Sequence, residues 1–238
     1  MTSNNNNKQK FTQFNPAIAK FFKDLEKNNN KQWFDANRSF YEKEIKEPLK
    51  QFVSVMADLF YKNDMKYIAD SKKSLFRINR DIRFSKNKDP YKTNLGIYFP
   101  YSLLQVVDSK PKSIGLYLHF ERGQSFIAGG LHMPSPENLK SIRNKFLEDW
   151  KDFEKIISNK AFKKEFPEIL GGETLSTAPR GYPKGHPAEK YLLLKEYTVF
   201  CNIDDKEFFS HKLSELMIKK GKALEPFVRF LLEAVEQH

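Results

Sequence analysis

Apolar side chains recur along this chain in two periods, and the change of period divides it into three stretches. Asn15-Pro16 reads as an N-cap followed by the first residue of a helix. Ile18, Phe21, Phe22 and Leu25 mark one face of that helix, which ends in the polar run Asn28–Asn30. Trp33 and Phe34 anchor the next turn. From Asn37 to about Tyr61 the apolar positions (Tyr41, Ile45, Leu49, Phe52, Val53, Met56, Leu59, Phe60) keep helical spacing around Pro48, which predicts a kink or two abutting helices.

Between residues 75 and 133 the period falls to two. Phe76, Ile78, Ile82 and Phe84 alternate with Arg77, Asn79, Asp81 and Arg83, predicting a strand with Arg80 on its apolar side. Leu95–Tyr101 is a second strand. Ile114, Leu116, Leu118 and Phe120 alternate, Glu121–Gln124 turns, and Ser125–Met133 returns as the other arm of a β-hairpin. Pairing Glu121 with Ser125 sets His119 opposite Ile127 and His132 opposite Ile114, with the two imidazoles on opposite faces.

Helical spacing resumes at Ser135-Pro136 and runs through Leu139, Ile142, Phe146, Leu147, Trp150, Phe153, Ile156 and Ile157. Residues 171–187 are a Gly/Pro-rich loop, and Tyr197–Ile203 is a strand. Asp204 or Asp205 caps a helix bearing Phe208, Phe209, Leu213, Leu216 and Met217. Gly221 is expected to break it before a last helix over Leu224–Val235. Helices, then hairpin-connected strands, then helices imply the α+β class, with an antiparallel or mixed sheet against which the N- and C-terminal helices pack. The expected organisation is one domain over 11–238 behind a disordered polar tail at 1–10.

Composition narrows the function. Hydrophobic residues make up 39% of 238, enough for a core. The apolar runs fall far short of the roughly 20 residues needed to span a bilayer. The first residues carry no secretory-type apolar segment, and a single cysteine, Cys201, has no internal disulfide partner. A cytoplasmic, reducing compartment is the default expectation.

The formal charge of +11 suits nucleic acid, phosphorylated ligands or another anionic partner. Its bulk is lysine, of the kind an AT-rich coding sequence produces. The arginines say more. Arg77, Arg80 and Arg83 fall within seven residues, and residues 71–94 hold eight Lys/Arg against two Asp, a net of +6.

That segment is the first candidate site. Arginine presents a planar, bidentate donor set to phosphate or carboxylate. An arginine on an apolar face needs a buried acid or a bound anion, because an unpaired buried charge costs several kcal/mol. Arg77, Arg80, Arg83, Lys86, Tyr91 and Lys92 are therefore the expected anion contacts, with Asp81 orienting the arginines or acting as a general base. The plain alternative is a buried Arg80–acid pair beside a solvated basic loop.

The second candidate is Pro179–Glu189, where Arg180, Lys184 and backbone N–H groups precede a helix expected to start at His186-Pro187 with Glu189 in a capping box. Its plain alternative is a rigid Pro/Gly connection. The sequence carries no HExxH, paired CxxC or DxDxDG pattern, and neither a metal nor a cofactor is expected. A glycosidase-type carboxylate pair would need Glu121 and Glu173 to meet in space, and nothing in their spacing supports it. Phe84 and Tyr91 among the cations give the composition of a single-strand stacking groove, without a helix-turn-helix, zinc-finger, RNP or KH signature.

Three stretches carry a resemblance: Trp33-Phe34-x-x-Asn37-Arg38, FRINRDIRFSKNKDPYKTN at 76–94, and TAPRGYPKGHPAEKYLLLKEYTV at 177–199 with the GLYLHFE hairpin before it. In these the chain resembles the domain-of-unknown-function 2461 family, a bacterial and fungal group, over nearly everything after residue 11. The resemblance implies one domain of this length and no assigned activity or cofactor. It also implies that Arg77, Arg80, Asp81, Arg83, Lys86, Pro90, Tyr91 and Lys92 belong together in a site.

The expectation is thus a phosphate-type anion-binding domain, with Arg180 and Lys184 closing the site from their loop, whose partner is a phosphorylated small molecule or a nucleic-acid backbone. One rival is a hydrolase or transferase on a phosphorylated or carboxylate substrate, with Asp81, His186 or Glu121 as acid/base. The other is non-specific nucleic-acid binding.

Overall fold

A computed structural model describes residues 11–83, 86–103, 114–171 and 173–236. The expected tail at 1–10 and Phe84 lie outside them. Helix α1 (Ala17–Lys27) starts where Asn15 Oδ1 accepts the Ala17 N–H at 2.9 Å. Asn30 caps α2 (Lys31–Ala36) by accepting the Trp33 N–H at 3.0 Å. A short α3 (Arg38–Phe40) leads into a π-helical segment (Tyr41–Lys46) and then α4 (Glu47–Lys62). Pro48 sits in the first turn of α4. Its ring crowds the carbonyl four residues back, which lies in the π turn, so the widened turn takes up the disturbance expected as a kink.

The five strands among the described residues are β1 (Leu95–Pro100), β2 (Ile114–Phe120), β3 (Phe126–Leu131), β4 (Glu168–Gly171) and β5 (Tyr197–Asn202). They form one sheet in the order β1-β2-β3-β5-β4, and every neighbouring pair is antiparallel. The fold is α+β.

Helix α5 (Pro136–Ser158) is capped by Ser135 and kinked at Asp149, and α6 (Lys160–Glu165) follows. After the one-turn helices α7 (Glu189–Leu192) and α8 (Asp205–Phe208) comes α9 (Leu213–Glu236). Gly221 does not break α9. The break falls earlier, between α8 and α9. Gly221 is buried at a close crossing, where a Cβ would stand 2.6 Å from Met65 Cε, and its carbonyl accepts the Tyr67 hydroxyl at 3.0 Å.

The sheet has two unlike faces. Ile97, Phe99, Leu116, Leu118, Phe120, Ile127, Tyr197 and Val199 point to one side and are fully buried. Against them pack Phe22 of α1, Phe60 of α4, Phe146 of α5 and the length of α9. One cluster of buried residues runs from Phe11 to Val235 on this side.

Gly96, Tyr98, Tyr117, His119, Phe126, Ala128 and Phe200 point to the other side, where the residues with side chains are only half-buried. Their ring contacts are with one another and with Phe76. Among the described residues no helix adds a ring to this face.

Two sequence expectations need correction here. Residues 75–83 are not a strand. They touch β1 through the Leu75–Ile97 bridge and the Phe76 N–H on the Gly96 carbonyl at 3.1 Å, then leave it. Phe76 and Ile82, read as the buried side of a strand, are 54% and 41% exposed, because no second layer covers them. The hairpin register is also one residue from the expected one: His119 faces Phe126 and Ile114 faces Leu131. Ser125 Oγ accepts the Glu121 N–H at 3.3 Å and donates to the Glu121 carbonyl at 3.1 Å, so a side chain closes the turn and the loop is one residue longer. The face argument for His119 and His132 falls with the register. His132 stands beyond the end of β3, with Nδ1 2.7 Å from Glu196 Oε2.

Candidate functional site

The basic segment is built as a two-armed loop on the outer side of β1. Arg80 N–H donates to the Pro90 carbonyl at 2.9 Å and Lys92 N–H to the Ile78 carbonyl at 2.8 Å, so residues 78–80 and 90–92 lie side by side. Asn29 clasps the second arm: its Nδ2 donates to the Tyr91 carbonyl at 3.0 Å and its Oδ1 accepts the Tyr91 N–H at 3.1 Å. Tyr91 stacks on Phe34 with 4.1 Å between ring centroids and is 5% exposed. It therefore fixes the loop to α2 and is withdrawn from any ligand, which corrects its expected role as a contact.

This scaffold gathers Arg77, Arg80 and Lys92. Lys92 Nζ lies 5.4 Å from the centre of the exposed Phe76 ring. Burial first, and then the charges of Arg77 and Arg80, hold the Lys92 ammonium below the usual lysine range. Arg80 Nε is buried and has no hydrogen-bond partner. Among the described residues no carboxylate comes within ion-pairing distance of Arg80 or Lys92. The buried Arg80–acid pair is thus not what holds this arginine.

The other cations of the segment are occupied or peripheral. Asp81 takes Arg83 in a fork, Nε at 3.0 Å and Nη2 at 2.7 Å, and stands 3.9 Å from Arg77. Arg83 is the first cause of a lowered Asp81 pKa, so this carboxylate is an ion-pair partner with little basicity to offer. Lys86 is exposed at the loop tip, and Lys88 donates to the Ile82 carbonyl at 2.9 Å.

The second motif does not join the first. Tyr182 donates to Asn144 Oδ1 at 2.9 Å, which seats its loop on α5, and Arg180 and Lys184 are exposed there. Their loop lies between β4 and β5, the pair at the far end of the sheet from β1. The helix expected from His186 starts at Glu189 and lasts one turn. His186 Nδ1 accepts the Ala188 N–H at 3.1 Å, and the Glu189 carboxylate accepts the Gly185 N–H at 2.8 Å. These groups tie off the turn.

Glu121 and Glu173 do not meet either. Glu173 pairs with Lys195 at 2.7 Å, whereas Glu121 Oε2 lies 3.3 Å from His119 Nε2. His119 Nδ1 in turn lies 3.0 Å from the Tyr117 hydroxyl. Tyr117 and His119 were not legible as site residues, because strand alternation made them look like ordinary sheet positions. The signal that marks them is spatial: Phe76 meets Tyr117 edge to face at 5.9 Å, so the half-open aromatic face adjoins the cations.

A groove of about 550 Å3 lies elsewhere, between α5 and α9. Its charges are of both signs, with Lys145 paired to Asp149 at 3.0 Å and Arg229 to Glu225 at 2.9 Å, so it presents no concentrated field. Among the described residues no three His, Cys, Asp or Glu side chains are grouped to hold a metal ion. None of the described helices is long and apolar enough to cross a membrane.

The fold and site together define an α+β protein with a one-sided antiparallel sheet and a cation cluster at its β1 edge. The chain belongs to the conserved hypothetical protein family DUF2461, whose model matches residues 17–230. Comparison with curated proteins and with solved structures finds no match.

Proposed function

We propose that this protein binds a phosphate-type anion through Arg77, Arg80 and Lys92. The observation that carries the reading is the Arg80 guanidinium, part-buried with an unpartnered Nε and facing other cations instead of an acid. Three positive groups held this close repel one another, and an anion between them converts that repulsion into attraction. Charge-assisted hydrogen bonds then fill the donors left open. Asp81 keeps Arg83 out of the cluster and touches Arg77 only at 3.9 Å, which leaves Arg80 and Lys92 to the ligand with Arg77 beside them.

A thermal-shift titration with inorganic phosphate and pyrophosphate tests this. A ligand that binds only the folded chain raises Tm with concentration. The shift is expected in the natural chain and absent in Arg80→Met. Equal shifts in both would contradict the reading.

The exposed ring of Phe76 beside Lys92 favours, as a second reading, a nucleic-acid backbone with a base stacked on that ring. A labelled single-stranded oligonucleotide is the added arm. Binding lost in Phe76→Ala, with a steep salt dependence, supports this source. Phosphate binding without oligonucleotide binding assigns the site to small molecules.

A further inference from the structure

We propose that Tyr117 is a catalytic base acting on the anion held at Lys92 and Arg80, with His119 and Glu121 as its positioning pair. The inference rests on the anion-binding reading and adds a chemistry to it. Tyr117 and His119 lie two apart on β2 and so share the half-open face, and Glu121 follows just past the strand end. A carboxylate can only accept, so His119 Nε2 must carry the hydrogen that faces Glu121. In the neutral ring Nδ1 then has the free lone pair, and the Tyr117 hydroxyl donates into it. This is the logic of a base oriented by a third group, with a phenol in the place of the nucleophile.

The surroundings are arranged for that geometry. Phe126 stacks flat on the imidazole, 4.6 Å between centroids and 17° between planes, and fixes its plane. Across β1 the neighbour is Gly96. A Cβ there would stand 2.7 Å from the Tyr117 hydroxyl oxygen and 2.6 Å from Phe76 Cδ2, so the missing side chain is what lets the hydroxyl and the Phe76 ring meet. Phe76 carries Lys92 over its face, which places the cations one ring away from the array. Among the described residues the titratable groups facing His119 are Tyr117 and Glu121. Burial outweighs Glu121 and holds the imidazole below its usual range, and so neutral near pH 7.

The step is a proton transfer. A hydroxyl or carbon acid on a phosphorylated or carboxylate substrate gives its proton to Tyr117 Oη as the phenolic proton passes to His119 Nδ1. The imidazolium faces the Glu121 carboxylate, and the electron pair left on the substrate faces Lys92 and Arg80.

The test is covalent labelling of the full chain with two aryl sulfonyl fluorides, one carrying a carboxylate and one neutral, mapped by mass spectrometry. Attack by the phenol oxygen breaks the S–F bond and releases fluoride, and the phenolic proton goes to His119. Tyr61, 84% exposed, is the internal control. Tyr117 is expected to be labelled ahead of Tyr61 although burial, and then Glu121, push its phenol up to about 12, at a rate that follows a single titration of His119 below the usual imidazole range. Glu121→Gln should slow it, and His119→Gln should abolish that titration. The anionic probe should outpace the neutral one until inorganic phosphate competes. No preference for Tyr117 with either probe, or a preference unchanged in both variants, overturns the array. A preference without advantage for the anionic probe spares the array and overturns the anion reading, and with it the substrate class.

Discussion

Arg80 is the residue on which the rival accounts differ most. A buried arginine paired to an acid cannot be removed without orphaning its partner, at a cost of about 3–5 kcal/mol. Here no partner exists among the described residues, and Nε is itself unsatisfied. Arg80→Met keeps most of the stem and deletes the unsatisfied donor, so urea denaturation should find a change below about 1 kcal/mol. A loss in the range of an orphaned pair would return Arg80 to the core. Lys92 makes a second prediction. Its ammonium is held down by burial and by Arg77 and Arg80, and a bound anion favours the charged form. By linkage, affinity is highest while Lys92 is protonated and falls as pH rises through its depressed value, before the ordinary lysine range is reached. Sulfate, which does not titrate there, is the probe. Calorimetry from pH 7 to 10 should show the decline, and Lys92→Met should flatten it.

At the scale of elements, the sheet depends on close approach at its glycines. A Cβ on Gly115 would collide with the Phe99 carbonyl oxygen of the neighbouring strand and meet the Tyr98 ring at 2.9 Å. Gly115→Ala should therefore cost at least about 1–3 kcal/mol by overpacking, although alanine is ordinarily the milder residue in a strand. Thermal unfolding checks this, and an unchanged Tm would mean that β1 and β2 separate freely.

Elements with a strong period were legible in the sequence. The faces of α1, α4 and α5 and the arms of the β2–β3 hairpin are where the apolar spacing puts them. What the spacing missed was decided by contacts distant in sequence. Gly221 reads locally as a helix breaker, but its neighbours are Met65 and Tyr67. Tyr91 reads as a ligand ring among cations, but Asn29 and Phe34 draw it inward. The hairpin register is the local exception: it turned on the Ser125 hydroxyl, four residues from Glu121, which no alternation pattern encodes.

Over the whole molecule the asymmetry of the sheet organises the rest. One face carries the helices and the core, and the other is a half-open aromatic surface bordered by the cation cluster. The cluster itself could be read from the density of arginine at 77–83. Its convergence with Tyr117 and His119 could not, because it depends on where the loop is pinned. The formal charge of +11 raises a simpler account, in which any basic patch attracts anions equally. Isothermal titration of pyrophosphate into three chains separates the two: the natural protein, Arg80→Met with Lys92→Met, and Arg180→Met with Lys184→Met. Both doubles remove the same charge. The site account predicts one binding event, weakened at least about tenfold, some 1.4 kcal/mol, in the first double and unchanged in the second. Equal weakening in both, or no binding to the natural chain, would contradict it.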